Sequence, residues 1–237
     1  MKVISLFVLL VVLLFSCGKS AENNFTRGSL QLSFDDTSVC NWEKYLPLLD
    51  HYDVKATFYI CRPQTLTSRQ WLALHRIANA GHEIACHGLH HANPFSTSLS
   101  PEKYVENELL ICRKMLMNSG FKVKTVGFPF GNATERMEEL ALKHFKTIRR
   151  VIWDKEHKLL SQYDELFSRE PNTIQTAMGI DSICAISLIS IESACKRAHD
   201  NHETFYLIAH EINTRKPYSI SKKFLIHLLE MKRKYSV

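Results

Sequence analysis

The chain of 237 residues has little of what usually breaks or specialises a fold, with only eight glycines and seven prolines. It contains no internal repeat and no low-complexity segment, which excludes fibrous and repeat-array architectures. No Cys-x-x-Cys pair occurs among its seven cysteines, so a cysteine-built zinc site is excluded. No basic run is dense enough to argue for nucleic acid, although Lys and Arg outnumber Asp and Glu by 30 to 24, a net charge of +6. The mild excess of positive charge suits an anionic envelope polymer better than a nucleic acid. The apolar stretch Val3–Phe15 follows Met1-Lys2 and is too short for a comfortable membrane span.

What is present is a globular composition, 45% hydrophobic and 23% charged, on a length that suits one domain with a substantial core. Met1–Phe15 reads as the charged and apolar parts of an export signal. It ends in Leu14-Phe15-Ser16-Cys17-Gly18, which resembles a bacterial lipoprotein cleavage box. On that reading residues 1–17 are a signal segment with Cys17 as the lipidation site, and 18–28 form a polar tether. An uncleaved anchor, or a plain secretory signal cut slightly later, is the alternative. The other six cysteines permit disulfides in an exported chain, but their spacings single out no pairing.

From residue 29 onward strand-like and helix-like segments alternate. Leu30–Phe34 precedes a helical Trp42–Leu49, and Ala56–Ile60 precedes a helix over Ser68–Ala80. Glu83–Cys86 is a short strand. Ser100-Pro101 then opens a long helix to Asn118, with Ser as N-cap and Pro in the first turn. Strand Val123–Phe128, helix Glu135–His144 and strand Thr147–Trp153 follow. Asp154–Asp181 is polar and irregular, with no element assigned. Helix Ile191–His199, strand Phe205–Ala209 and helix Lys222–Lys234 complete the chain. Repeated βα units predict a parallel sheet, open or closed into a barrel.

Four polar clusters fall at predicted strand C-termini, the edge on which α/β barrels carry their chemistry. The first is Leu32-Ser33-Phe34-Asp35-Asp36-Thr37, where an alternating strand ends in two adjacent carboxylates that repel unless a cation or a shared proton separates them. The second, His87-Gly-Leu-His-His91, places two histidines four apart. One Asp with two His leaves a coordination position open, as in a catalytic zinc site. The others are Pro129-Phe130-Gly131 and His210.

These motifs resemble, in order, those of the polysaccharide deacetylases, the NodB-like proteins of carbohydrate esterase family 4. Ser-Phe-Asp-Asp-Thr is similar to the family's Thr-Phe-Asp-Asp-Gly, His87–His91 to its His-Ser/Thr-x-x-His, Phe128–Gly131 to the tail of its Arg-x-Pro-Tyr/Phe, and Tyr206–Glu211 to its Leu-x-His. The resemblance implies an α/β fold, a distorted, incomplete (β/α) barrel of about seven parallel strands spanning residues 29–237. It implies Asp36, His87 and His91 as ligands of a divalent metal, zinc before other transition metals, and Asp35 as general base. It implies His210 as general acid, held by a buried Asp for which Asp154, Asp164 and Asp181 all remain open. Leu207 or Ile208 would line an acetyl-sized pocket, and the Phe130 N–H after Pro129 would help stabilise the oxyanion. The expected activity is removal of N-acetyl groups from N-acetylhexosamines of an envelope or extracellular glycan by a membrane-anchored lipoprotein. An O-acetyl esterase and a glycan-binding protein without turnover are the rivals.

The chain departs from the family's pattern at Thr37, where Gly is usual, and at Gly88, where a hydroxyl often supports a ligand His. The third departure is Gly127, in the position of the motif arginine that orients the base. Alternation along Thr147–Ile152 sends Arg149 into the barrel beside Ile148 and Ile152 on the outer face, so Arg149 is expected to reach Asp35 from the neighbouring strand.

Overall fold

The computed structural model describes residues 28–154, 157–170 and 172–237. The signal segment, Cys17 and the tether up to residue 27 lie outside the described residues. Among the described residues no helix is long and apolar enough to cross a membrane.

Seven parallel strands form a closed barrel. They are β1 (Ser29–Asp36), β2 (Thr57–Ile60), β3 (Glu83–Cys86), β4 (Thr125–Gly127), β5 (Thr147–Ile152), β7 (Ile174–Gly179) and β8 (Thr204–Ala209). Each pairs with the next in that order, and β8 returns to pair with β1 from Ser29↔Thr204 to Phe34↔Ala209. The barrel is thus one strand short of eight yet hydrogen-bonded around its circumference. Its thinnest seam is β3–β4, a single register pair at Cys86↔Val126. A two-residue strand β6 (Phe167–Ser168) runs antiparallel to the start of β8, and β9 (Glu211–Ile212) pairs with β10 (Ser219–Ile220) beside the site.

Helices α1 (Val39–Trp42), α2 (Leu46–His51), α3 (Ser68–Asn79), α4 (Pro101–Tyr104), α5 (Ile111–Asn118), α6 (Glu135–Leu142), α7 (Leu188–Asn201) and α8 (Lys222–Tyr235) join or follow the strands. The expected helix over Trp42–Leu49 is broken into α1, a 3₁₀ turn at Glu43–Tyr45 and α2. Pro47 in the first turn of α2 has no N–H to continue an incoming helix. The long helix after Ser100 does form, but Val105–Leu110 between α4 and α5 is a π-helical turn. The unassigned Asp154–Asp181 hides a full barrel strand, β7. Its short inner residues, Gln175, Ala177 and Gly179, give it no alternating apolar signature.

Alternation sorts every strand into two faces. Leu30, Leu32 and Phe34 of β1 face the helices, where Phe34 stacks on Phe58 at 5.4 Å and Phe58 meets Trp42 at 5.2 Å. Burying aromatic groups of this size at complete exclusion from water is worth several kcal/mol each, roughly 3–5 for a Phe or Trp truncated to Ala. The opposite residues, Gln31, Ser33 and Asp35, enter the barrel lumen. The outer face therefore carries the stability and leaves the inner one free to be polar.

Candidate active site

Asp35 and Asp36 end β1, and the chain turns between them. Asp36 has φ +87, a conformation that costs a residue with a side chain roughly 1–3 kcal/mol. The turn separates the two carboxylates: Asp35 is buried in the lumen at 3% exposure, while Asp36 swings out to the rim. His91 likewise has φ +58, which bends the loop after β3 back over the barrel mouth.

These two backbone conformations bring one oxygen of Asp36 and one ring nitrogen each of His87 and His91 within 4.8 Å of one another. His91 Nε2 is 3.5 Å and His87 Nε2 3.9 Å from Asp36 Oδ1. The His87 Nδ1 lies 2.7 Å from the Gly127 carbonyl, which fixes the ring with Nε2 toward both carboxylates, 3.4 Å from Asp35 Oδ2. Burial, reinforced by the neighbouring His87, pushes His91 down to about 4, so its ring is neutral at neutral pH, as a ligand must be. Two imidazoles and one carboxylate with open space beside them fit a divalent metal of the zinc type.

Asp35 sits one layer deeper. Arg149, from β5, donates from Nη2 to both of its oxygens, at 2.7 and 2.6 Å. Burial opposes ionisation of Asp35, but the Arg149 guanidinium, with His87 and His210, outweighs it and holds the carboxyl below the usual range. Arg149 is itself 2% exposed and lies over the Tyr59 ring, 4.4 Å from its centroid. Gly127 is the register partner of Arg149, and a Cβ there would come within 2.5 Å of Nη2 and 3.1 Å of the Tyr59 ring. The position at which the resemblance leads one to expect an arginine is thus the space through which Arg149 reaches Asp35. Arg150, one residue on, points outward to the buried Glu138 of α6.

His210 follows β8. Of the three open carboxylates it is Asp181, completely buried, that holds it: Oδ2 lies 2.6 Å from Nδ1, and Oδ1 accepts the His210 backbone N–H at 3.1 Å. Asp154 instead accepts the Tyr163 hydroxyl and Asp164 pairs with Arg197. Burial works against the imidazolium, but Asp181 and then Asp35 and Asp36 prevail, and the His210 pKa is raised. Trp42 of the helix layer donates from Nε1 to the His210 carbonyl at 2.6 Å, and Asn41 makes two hydrogen bonds with Ile212. The chain after β8 is thereby clamped to the outer core.

Together these groups surround a cavity of about 370 Å³ at the C-terminal mouth of the barrel. It includes Asp35, Asp36, His87, His91, His210 and Phe130, whose ring lies 4.9 Å from that of His91. Pro129 is buried behind Phe130, which adopts φ +61 and leaves its own ring 56% exposed. Of the two residues expected to line an acetyl-sized pocket, Ile208 lines the cavity, packed with Val151 and Ala177, and Leu207 does not, being buried among the outer helices. Ile208 and His210 are two apart and share the inner face of β8, which places Leu207 on the other.

Several participants carried no signal in the sequence. Trp153 lines the cavity because Gly179 is bare: a Cβ there would lie 2.3 Å from the indole. Tyr218, from β10's approach, packs 5.4 Å from His210. Glu108, in the π-helical turn, is 2% exposed and holds the metal loop through the N–H and Nδ1 of His90, at 2.9 and 2.7 Å. Its Oε2 would stand 3.0 Å from a Cβ at Gly88, so the hydroxyl missing there is replaced by a carboxylate that needs the room. Tyr59, on the inner face of β2, was not singled out in the sequence and supplies the ring beneath Arg149.

The family model for polysaccharide deacetylase matches residues 22–147, more than half of the chain. The chain belongs to the polysaccharide deacetylase family. It is 31% identical over 114 residues to the "Putative polysaccharide deacetylase YheN" of Bacillus subtilis strain 168, a match covering 47% of this chain and 38% of that protein. This deacetylase chain thus matches well under half the length of that curated relative. Among solved structures it resembles a Streptococcus mutans CE4 esterase with a TM-score of 0.56 at 17% identity, over 89% of this chain and 82% of the other. It also resembles a CE4 family pseudoenzyme from Bacillus anthracis with a TM-score of 0.52 at 14% identity, over 89% and 61%. At these identities the likeness is one of fold, and the fold is shared by members with and without turnover.

Proposed function

We propose that the chain is a metal-dependent deacetylase that hydrolyses the N-acetyl amide of N-acetylhexosamine residues in a cell-envelope or extracellular polysaccharide. The observation that carries the reading is the pairing, across one cavity, of the Asp36, His87 and His91 cluster with an ion-paired Asp35 on one side and the Asp181-held His210 on the other. Asp36, His87 and His91 would hold the ion, with zinc best matched to two imidazoles and a carboxylate. Such an ion, when bound, polarises the amide carbonyl and acidifies a water.

The remaining work falls to the chain. Asp35, kept ionised by Arg149 and fixed in one rotamer by it, accepts the proton of the attacking water. Arg149 acts through Asp35, as a positioning residue. His210, whose imidazolium is favoured by Asp181, Asp35 and Asp36 against burial, carries its second proton at Nε2 and delivers it to the departing amine. The peptide N–H of Phe130, presented after Pro129, assists the developing oxyanion. Ile208, Val151 and Trp153 shape an apolar wall suited to an acetyl methyl. The mature protein is exported and tethered to the envelope membrane through a lipid on Cys17.

Acetate release from chitooligosaccharides, peptidoglycan and acetylated xylan, with and without added zinc, tests the reading. Zinc-dependent release from the N-acetylated substrates is expected. Release from xylan alone would make the protein an O-acetyl esterase, and saturable glycan binding without release would make it a binder. Cys17→Ala should leave an unlipidated protein, and lipid label persisting on that variant would remove the anchor from the proposal.

A further inference from the structure

The loop from Gly88 to Ala92 carries His91 and belongs to no strand or helix, so its backbone must find partners elsewhere. Glu108 meets its donors. The Glu108 carbonyl accepts the Leu89 N–H at 2.8 Å, and Oε2 accepts those of His90 and Ala92 at 2.9 and 3.5 Å. The carbonyls of the loop are met from two other sides. After β2, the Arg62 N–H donates to Gly88 at 3.0 Å, Arg62 Nε to His90 at 3.3 Å and Gln64 Nε2 to Leu89 at 2.7 Å. From α4, the Tyr104 hydroxyl donates to Ala92 at 2.8 Å.

Between these ties stands His91, at the positive φ that brings its Nε2 to 3.5 Å from Asp36. A residue with a side chain does not hold that conformation by local preference, so its surroundings must impose it. Glu108 is placed to do so. It is buried, and its carboxylate reaches the N–H groups on both sides of His91, which makes these charge-assisted hydrogen bonds. Its second oxygen lies 2.7 Å from Nδ1 of the exposed His90 ring. None of these bonds uses a metal-ligating atom, so they can hold the loop whether or not the site is filled.

We propose that Glu108 is a positioning residue of the metal site, a role that rests on the metal-dependent reading above. It fixes the His91 loop in its ligating conformation before an ion arrives, and so sets the affinity of the Asp36, His87 and His91 cluster. A ligand loop already fixed gives up little conformational freedom on coordination. A loose one loses affinity in proportion to the time it spends in the wrong shape. Groups that orient ligands in this way are commonly worth roughly 10–100-fold in metal affinity.

The test is the zinc affinity of the full-length, EDTA-treated chain, measured by competition with a chromophoric chelator. Glu108→Ala, with unchanged circular dichroism, should bind zinc about tenfold or more weakly. Glu108→Gln, which keeps an acceptor in place, should recover most of that loss. Amide hydrogen exchange of the metal-free wild type gives a second readout that needs no variant. The Leu89, His90 and Ala92 N–H groups should already be protected, and zinc should add little. Equal zinc affinity in wild type and a folded Glu108→Ala would overturn the proposal. So would loop amides that become protected only when zinc is added. Failure of the wild type to take up zinc at all would remove the metal-dependent reading, and this proposal with it.

Discussion

The two mouths of the barrel are built from the same seven strands, yet they solve opposite problems. At the C-terminal mouth the main polar groups of the candidate site are each held by a second group. Asp35 is held by Arg149, His210 by Asp181, His87 by the Gly127 carbonyl, and the loop carrying His91 by Glu108 through His90. At the N-terminal mouth the hydroxyls of Ser33, Thr57 and Thr125 are bonded within the barrel wall, whereas Lys122, Lys124 and Lys146 stand exposed at the opening. The difference teaches where precision is needed. A reacting centre requires fixed rotamers and assigned protons, which demands a supporting partner for each group.

If this contrast holds, substitutions at the C-terminal mouth remove turnover, and those elsewhere remove only stability. The largest effect belongs to His87→Ala/His91→Ala, expected to lose both the bound ion, about one per chain in the wild type, and acetate release. Full metal content in that variant by atomic absorption would break the comparison at its centre.

Asp35→Asn comes next, lowering the rate by roughly 10²–10⁴ while metal content stays at the wild-type level, since the proposed mechanism gives the residue a proton to move and no ligand role. Unchanged acetate release would remove Asp35 from the mechanism.

The neighbouring arginines sharpen the contrast within one strand. Arg149→Ala leaves a buried carboxylate without its cation, costing roughly 3–5 kcal/mol of stability along with most of the turnover. Metal content should be retained. Arg150→Ala strips the outer partner from Glu138 and costs about 1–3 kcal/mol with the rate preserved. Chemical denaturation and steady-state rates on the two variants would have to agree to defeat the distinction.

Asp181→Asn isolates the His210 bond by pH. The His210 pKa is raised in the folded protein, so its ionic contribution is fully present below the unfolded value, near 6.5, and is lost as pH rises through the folded one. The variant should therefore be less stable than wild type by about 1.5–3 kcal/mol at pH 6, and the gap should narrow above the raised pKa. The alkaline limb of its rate profile should move to lower pH. A stability gap independent of pH would mean that Asp181 acts on packing alone.

The smallest effect is expected at the far mouth. Thr125→Val removes one hydroxyl from Glu83 and should cost roughly 0.5–1.5 kcal/mol in denaturant without altering the rate.

Much of this architecture is written locally. The alternation Leu30, Leu32, Phe34 against Gln31, Ser33, Asp35 specifies which face of β1 is core and which is lumen before any neighbour is known. The capped helix starts at Thr67 and Ser100, and the order of βα units, are local in the same sense, as is the clustering of Asp36, His87 and His91 at strand ends. Alternation within β5 also places Arg149 in the lumen, which is why its approach to Asp35 could be argued across 114 positions of sequence.

What the sequence could not determine depends on which atoms meet once the ring of strands closes. The choice of Asp181 over Asp154 and Asp164, the use of Ile208 in place of Leu207, and the bracing of the His87–His91 loop by Glu108 arise between segments with no shared local pattern. The same holds for glycine. In the sequence Gly127 and Gly179 are only missing side chains, whereas in the barrel they are the spaces occupied by the Arg149 guanidinium and the Trp153 indole. Periodicity reports how a strand divides its two faces. Only the closed register of one strand against the next decides what fills the space a small residue leaves.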